Sequence, residues 1–282
     1  MPEIHNLQLE PMVDRSLQED WGNGDWTTDL CVPSDSVAKA CIIAKEDTLV
    51  AGLDVVRAVF NRVDPDLKVH FLLQDGDFAQ NRQRIVEIEG RSRSILKGER
   101  VALNFLSRMC GIASLTKKFV NQLEGLKTQL LDTRKTTPGL RIIEKAATFI
   151  GGARNHRLCL TDGVLIKENH IRAAGGITAA VNRLLESLPP TLKIEVETSN
   201  IAEVHEAVDA GADLIMLDNM SLSEMSLAVR TVQGKVLLEA SGNVTLENVR
   251  AIAETGVDFI STSAILHSAR WSDLSLLFDV EQ

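Results

Sequence analysis

Six short apolar runs from Gln129 onward in this 282-residue chain each end in side chains that can do chemistry. In order, the endings are Asp132-Thr133-Arg134-Lys135-Thr136-Thr137, Lys167-Glu168-Asn169-His170, Glu197-Thr198, Asp218-Asn219, Glu239-Ala240-Ser241-Gly242-Asn243 and Ser261-Thr262-Ser263. One polar strand end is a solvated loop; six on one face make a polar pocket. Between Asp132 and Arg172, Arg134, Lys135, Arg141, Lys145, Arg154, Arg157, Lys167 and Arg172 stand against only four acids, in a chain whose formal charge is -9. That patch suits a small polyanion, because guanidinium forks match carboxylates and phosphates in two-point hydrogen bonding. Arg141 and Lys145 are excepted and read as surface charge on a helix over Leu140 to Phe149. Glu197 and Asp218, ending successive runs, suit sugar hydroxyls or a magnesium ion with its waters; a structural ion pair with a nearby lysine is the plain alternative. Ser241-Gly242-Asn243 and the stretch Ser261 to Ala264 end the last two runs, where barrel enzymes often hold a phosphate on backbone N–H groups. The residues alone therefore describe a mouth for a substrate with several negative charges, a ribose-like polyol and a phosphate. They do not name a reaction.

The elements that must position these groups follow from periodicity. The apolar runs are Gln129 to Leu131, Gly163 to Ile166, Lys193 to Val196, Leu214 to Leu217, Val236 to Leu238 and Phe259 to Ile260. Helical spacing recurs between them, as in Ile201 to Ala210, Leu222 to Val232 and Leu246 to Glu254, with Gly211, Gly234 and Gly256 as stop signals. Alternating βα units imply parallel strands. No GxGxxG follows the first strand, so a barrel is favoured over an open dinucleotide-binding sheet. Residues 1–110 differ: a leading amphipathic helix, then strands at Val37 to Ala44, Val69 to Leu73 and Arg84 to Glu89 around a helix from Asp54 to Val63. A helix from Glu99 to Leu123 is expected to join this part to a barrel over 111–267, and the apolar tail Leu274 to Val280, within 268–282, to fold back onto residues 1–110.

Composition narrows the class. With 44% hydrophobic and 24% charged residues the chain reads as globular, and its acidic balance argues against a general nucleic-acid binder. No long apolar segment and no leader-like start are apparent, so a cytoplasmic protein is expected. Cys31, Cys41, Cys110 and Cys159 are scattered and read as reduced thiols. His5, His70, His205 and His267 are assigned no role; His170 either lines the mouth or caps a turn.

The stretch DTRKTTPGLRIIEKAATFIGGARNHRLCLTDGVLIKENHI, Asp132 to Ile171, resembles the central signature of quinolinate phosphoribosyltransferases. KIEVET, GADLIMLDNM, LEASGN and the early EDWGNGDWTTD resemble further blocks of that family in the same order. The resemblance implies an N-terminal α/β sandwich domain and an incomplete α/β barrel, in a homodimer or higher homo-oligomer. It implies a Mg²⁺-dependent reaction of quinolinate with phosphoribosyl pyrophosphate that yields nicotinate mononucleotide, CO₂ and pyrophosphate. Position by position, the quinolinate carboxylates would meet Arg134, Lys135, His156, Arg157 and Lys167, with Arg100 from a neighbouring subunit and Thr133 nearby. Glu197 and Asp218 would hold the ribose and the magnesium shell; Ser241, Gly242, Asn243, Thr262, Ser263 and Ala264 would hold the 5′-phosphate. The catalytic set so implied is Lys135, Lys167, Glu197 and Asp218. Ser263 departs from the family, where glycine is usual. Two other readings differ in class: an aldolase-like barrel with Lys167 as Schiff-base lysine, and a non-catalytic binder with the same pocket. A related transferase acting on another pyridine is nearer.

Overall fold

The computed structural model describes residues 6–279; His5 and Val280 lie outside the described residues. The chain forms two compact units, one made of residues up to Thr116, Thr136–Gly152 and the chain from Ser268, the other of Lys117–Lys135 and Ala153–His267.

The first unit begins with helices α1 (Asn6–Trp21) and α2 (Trp26–Cys31), the latter capped by Asp25, which accepts the Thr28 N–H. Strands β1 (Val37–Ala44) and β2 (Thr48–Leu49), helix α3 (Leu53–Val63) and strands β3 (Lys68–Phe71), β4 (Phe78–Ala79) and β5 (Arg84–Arg91) follow. β1 pairs antiparallel with β5, and β5 with β3. α3 buries Leu53, Val55, Val56, Val59 and Phe60 on one stripe. Its start needs Gly52: φ is +107° there, and a Cβ would lie 2.5 Å from Met109 Sδ. Helix α4 (Ser92–Gln122) starts seven residues before the expected Glu99. Gly98 weakens the helical signal of that first stretch, yet it lets Phe60 pack closely, since a Cβ would stand 2.8 Å from the ring.

The second unit carries the parallel strands: β6 (Gln129–Leu131), then, after helix α5 (Arg141–Ile150), β7 (Val164–Ile166), followed by α6 (Glu168–Ala174) and α7 (Ile177–Leu185). β8 (Ile194–Thr198), α8 (Ile201–Ala210), β9 (Leu214–Asp218), α9 (Leu222–Val232), β10 (Leu237–Ser241), α10 (Val249–Ala253), β11 (Phe259–Ser261) and α11 (Ala264–His267) complete the alternation. The sheet order is β6-β11-β10-β9-β8-β7 with every pair parallel, a barrel left open between its edge strands β6 and β7. Local sequence explains the helix ends: Asn200 accepts the Glu203 N–H at 3.0 Å, Ser221 and Glu224 form a reciprocal capping box, and Gly175 and Gly211 close α6 and α8 in the left-handed conformation. Along the strands, Ile194, Val196, Ile215, Leu217, Leu238, Ala240 and Ile260 are buried on one face, while the alternate positions line the interior cavities.

Strand β12 (Leu274–Phe278) belongs to the first unit and pairs antiparallel with β1, Cys41 opposite Leu277. Helix α5 also belongs there. It corrects the reading of Lys145 as surface charge, because that side chain is buried, and Arg141 is half-buried with its Nε 3.0 Å from Thr136 Oγ1. The physical reason is that the buried face of α5 includes Glu144, which receives Arg108 at 2.8 Å and the N–H and hydroxyl of Thr137 at 3.0 and 2.7 Å. Among the described residues no helix is long and apolar enough to cross a membrane.

Candidate active site

The inward positions of β8, β9 and β10 set the site, because strand alternation sends every second side chain into the barrel. At the C-terminal ends these are Glu197, Asp218 and Ser241, with Ser241 registered against Asp218. A cavity of about 160 Å³ there is lined by Thr133, Arg134, Lys135, His156, Arg157, Lys167, Glu197, Asp218 and Ser241, together with Leu165, Met216 and Ser261. The structure thus gathers four cationic side chains and two carboxylates predicted from the sequence into one wall. Lys167 Nζ meets Glu197 Oε2 at 2.7 Å, the lysine half-exposed and the glutamate mostly buried. Asp218 Oδ2 accepts from Asn219 Nδ2 at 2.8 Å, and Thr133 Oγ1 accepts the Lys135 N–H at 3.0 Å.

His156 and Arg157 reach the cavity from the segment that runs along the open edge of the barrel. Arg154 bridges to Leu131 beside β6. Fully buried Asp132 then anchors the segment by accepting Asn155 Nδ2 at 2.7 Å and the His156 N–H at 2.8 Å. Arg157 donates to the Gly163 carbonyl at 2.9 Å. Burial, and then the neighbouring charge of Arg134, lower its pKa below the usual guanidinium value. Two crowded guanidiniums in a half-closed cavity favour an anionic ligand.

The phosphate loops are placed less directly. Gly242 has φ +96°, and a Cβ would fall 2.2 Å from Asn219 Oδ1, so only glycine fits between the loops after β9 and β10. Asn243 Nδ2 and the Asn219 side chain tie those loops together at 3.0 Å. Gly242, Asn243, Thr262, Ser263 and Ala264 are not in the cavity wall itself. Thr262 is buried, its hydroxyl 3.3 Å from the Val244 carbonyl and 3.1 Å from the Ala264 N–H, so it supports the turn. Ser263 is not among the four non-glycine positions with positive φ in the described residues, so a serine fits its backbone without strain. Thr198 also points away from the mouth, buried against the Met216 carbonyl at 3.0 Å. His170 caps a turn, its Nδ1 accepting the Lys167 N–H at 3.0 Å. Arg100 is exposed on α4 in the other unit.

Sequence reasoning missed a second tier. Glu195 lies two residues before Glu197 on β8, and Glu239 two before Ser241 on β10, so both point into the barrel beneath the mouth. They are 5% and 0% exposed and line a separate cavity of about 390 Å³ towards the N-terminal strand ends. His156 Nε2 stands 3.1 Å from Glu195 and 3.8 Å from Glu239. Burial, then the charge of Glu195, push the Glu239 carboxyl up to about 8, against the pull of His156. The spacing of KIEVE, acids two apart in a strand, was the signal available.

Two family models match the chain: the quinolinate phosphoribosyl transferase N-terminal domain matches residues 25–110, and the C-terminal domain of that family matches residues 112–277. The chain belongs to the quinolinate phosphoribosyltransferase family. A Synechocystis relative, a "probable nicotinate-nucleotide pyrophosphorylase (carboxylating)", is 44% identical over 95% of this chain and 92% of its own length. The tobacco (Nicotiana tabacum) "quinolinate phosphoribosyltransferase (decarboxylating) 1b" is 41% identical over 99% of this chain and 85% of its own. Among solved structures, the nicotinate-nucleotide pyrophosphorylase of Francisella tularensis superposes with a TM-score of 0.94 at 42% identity, covering 98% of each chain. The Streptococcus pyogenes NadC structure also gives 0.94, at 35% identity and 99% coverage of both. These family members share the α/β barrel with a separate antiparallel sheet.

Proposed function

We infer that this chain is a decarboxylating quinolinate phosphoribosyltransferase, which joins quinolinate to phosphoribosyl pyrophosphate and forms nicotinate mononucleotide, CO₂ and pyrophosphate for NAD biosynthesis. The observation that carries the reading is the single cavity that holds Arg134, Lys135, Arg157 and Lys167 with Glu197 and Asp218, in a chain of this family. The cationic side chains take the two quinolinate carboxylates and aim the ring nitrogen at C1 of the sugar. As pyrophosphate leaves, the sugar carbon gains positive character, which Glu197 and Asp218 offset. The ring nitrogen, once alkylated, is cationic, so loss of the adjacent carboxylate as CO₂ leaves its electron pair next to that charge, where a proton from solvent completes the ring C–H. This step needs placement more than a base.

Hard carboxylate oxygens on adjacent strands suit Mg²⁺, and Glu197 and Asp218 are the residues that would hold it, directly or through water. Bound there, the ion supplies charge neutralisation for the pyrophosphate. Ser241, Gly242, Asn243 and the 262–264 turn cradle the 5′-phosphate. Arg100 completes the site of a neighbouring copy in a homodimer or a multiple of it. Four unpaired cysteines suit a reducing compartment, and we place the enzyme in the cytoplasm. In the aldolase-like alternative a Schiff-base lysine is desolvated, whereas Lys167 is half-exposed and paired with Glu197.

Product analysis tests the reading: the protein is mixed with phosphoribosyl pyrophosphate, Mg²⁺ and either quinolinate or nicotinate. Nicotinate mononucleotide and CO₂ from quinolinate alone are expected; turnover of nicotinate, or of neither, contradicts it.

A further inference from the structure

The proton inventory around His156 is unusual. Its Nδ1 accepts the Arg157 N–H at 2.8 Å, so the ring proton sits on Nε2, directed at Glu195 Oε2 at 3.1 Å. Both ring nitrogens are therefore engaged by protein. Beyond Nε2 lie two buried carboxyls, and three of their four oxygens, Glu195 Oε1 and both of Glu239, have no hydrogen-bond partner. Ser261 and Glu195 lie close enough to influence Glu239 without making a well-formed bond to it. From β9 and β11 the register partners of Glu239 are Met216 and Phe259, neither of them charged. Lys193 and Arg154 are exposed at the outer rim of the lower cavity. Burial, and then the charge of Glu195, push the Glu239 carboxyl up to about 8, so it is Glu239 that keeps a proton. One proton on Glu239 resolves the inventory: Glu239 becomes a neutral acid, Glu195 remains the acceptor of His156, and His156 remains the acceptor of Arg157.

We propose that Glu195 and Glu239 are positioning residues for this reaction, a buried acid pair that acts through His156 to fix the backbone of Arg157 and so the dicarboxylate clamp. The inference rests on the functional reading above. The same three side chains bring ligand atoms within 4.8 Å of one another, as a metal site would. A metal on Nε2 would leave the ring proton on Nδ1, facing the Arg157 N–H that it now accepts. The geometry therefore selects a proton.

Steady-state kinetics of the intact enzyme test this, with both substrates varied. Glu195→Gln raises the KM for quinolinate about tenfold, the scale of one hydrogen bond to a charged group, and Glu239→Ala, which removes the carboxyl packed 3.8 Å from His156 Nε2, raises the same KM. In both variants kcat and the KM for phosphoribosyl pyrophosphate stay within about threefold, because the pair acts on the clamp alone. Glu239→Gln, isosteric with the neutral acid, restores the quinolinate KM lost in Glu239→Ala. Should Glu195→Gln fail to fold, Glu195→Asp shortens the reach with the charge kept and raises the same KM. Unchanged quinolinate KM in these variants, or equal loss for both substrates, overturns the proposal alone; wild-type enzyme that does not turn over quinolinate overturns the functional reading and the proposal with it. A stoichiometric Zn²⁺ or Mn²⁺ that survives dialysis of the wild type and is lost from Glu239→Gln overturns the proton assignment.

Discussion

Two tiers of the same strands carry the same kinds of side chain in opposite circumstances. At the mouth, Glu197 and Asp218 are partly exposed and already matched by Lys167 and Asn219. One pleat deeper, Glu195 and Glu239 are buried and short of donors. Strand alternation fixes both positions equally, so what separates them is water. Carboxylates that water can reach are free to meet a cation, a sugar or a metal; those sealed off must find their partners among the neighbours packed around them. On the proposed reading the upper tier does the chemistry and the lower one holds the tools in place.

The largest effect should come from the upper tier. Asp218→Ala is expected to lower kcat about a thousandfold, the scale of a lost electrostatic stabiliser, with the melting temperature little changed; a drop of less than tenfold would erase the functional contrast between the tiers. Next is Gly242→Ala, which combines positive φ with a Cβ 2.2 Å from Asn219 Oδ1. It should cost about 2 kcal/mol of stability and raise the KM for phosphoribosyl pyrophosphate, read by chemical denaturation and initial rates.

The lower tier should show itself in stability against pH. Glu239 binds its proton more tightly folded than unfolded, so between pH 4.5 and about 8 the native state keeps a proton that the unfolded chain has released. Stability from this group is fully present below that window and is lost as pH rises through it. Urea melts of wild type and Glu239→Gln across the window should give a steeper decline for wild type; parallel curves would show that Glu239 does not hold a proton in the folded state. The smallest effect is expected from Ser263→Gly, within about twofold in either KM, since the serine backbone is already unstrained.

Much of the upper tier was legible because its signals are local. Asn200, Ser221 and Gly211 punctuate α8 and α9 so clearly that their ends coincide with Ile201–Ala210 and Leu222–Val232. β10 was harder: the apolar run Val236 to Leu238 stops where polar residues begin, but the strand continues to Ser241 because Glu239 and Ser241 face the barrel interior. For the same reason Glu239 read as part of a loop end, and Glu195 was passed over inside an apolar strand. Lys145 failed differently. Helical spacing reports where apolar residues fall, and it cannot tell that the charged positions between Ile143 and Ala147 share their buried face.

The most direct test of the central claim, that the mouth reads a dicarboxylate through Arg157, is equilibrium binding of quinolinate and nicotinate to wild type and Arg157→Ala by calorimetry. Wild type should bind quinolinate far more tightly than nicotinate, and the variant should lose about tenfold or more in quinolinate affinity, as for a charged two-point contact, with nicotinate little changed. An Arg157→Ala enzyme that binds quinolinate normally would contradict the account.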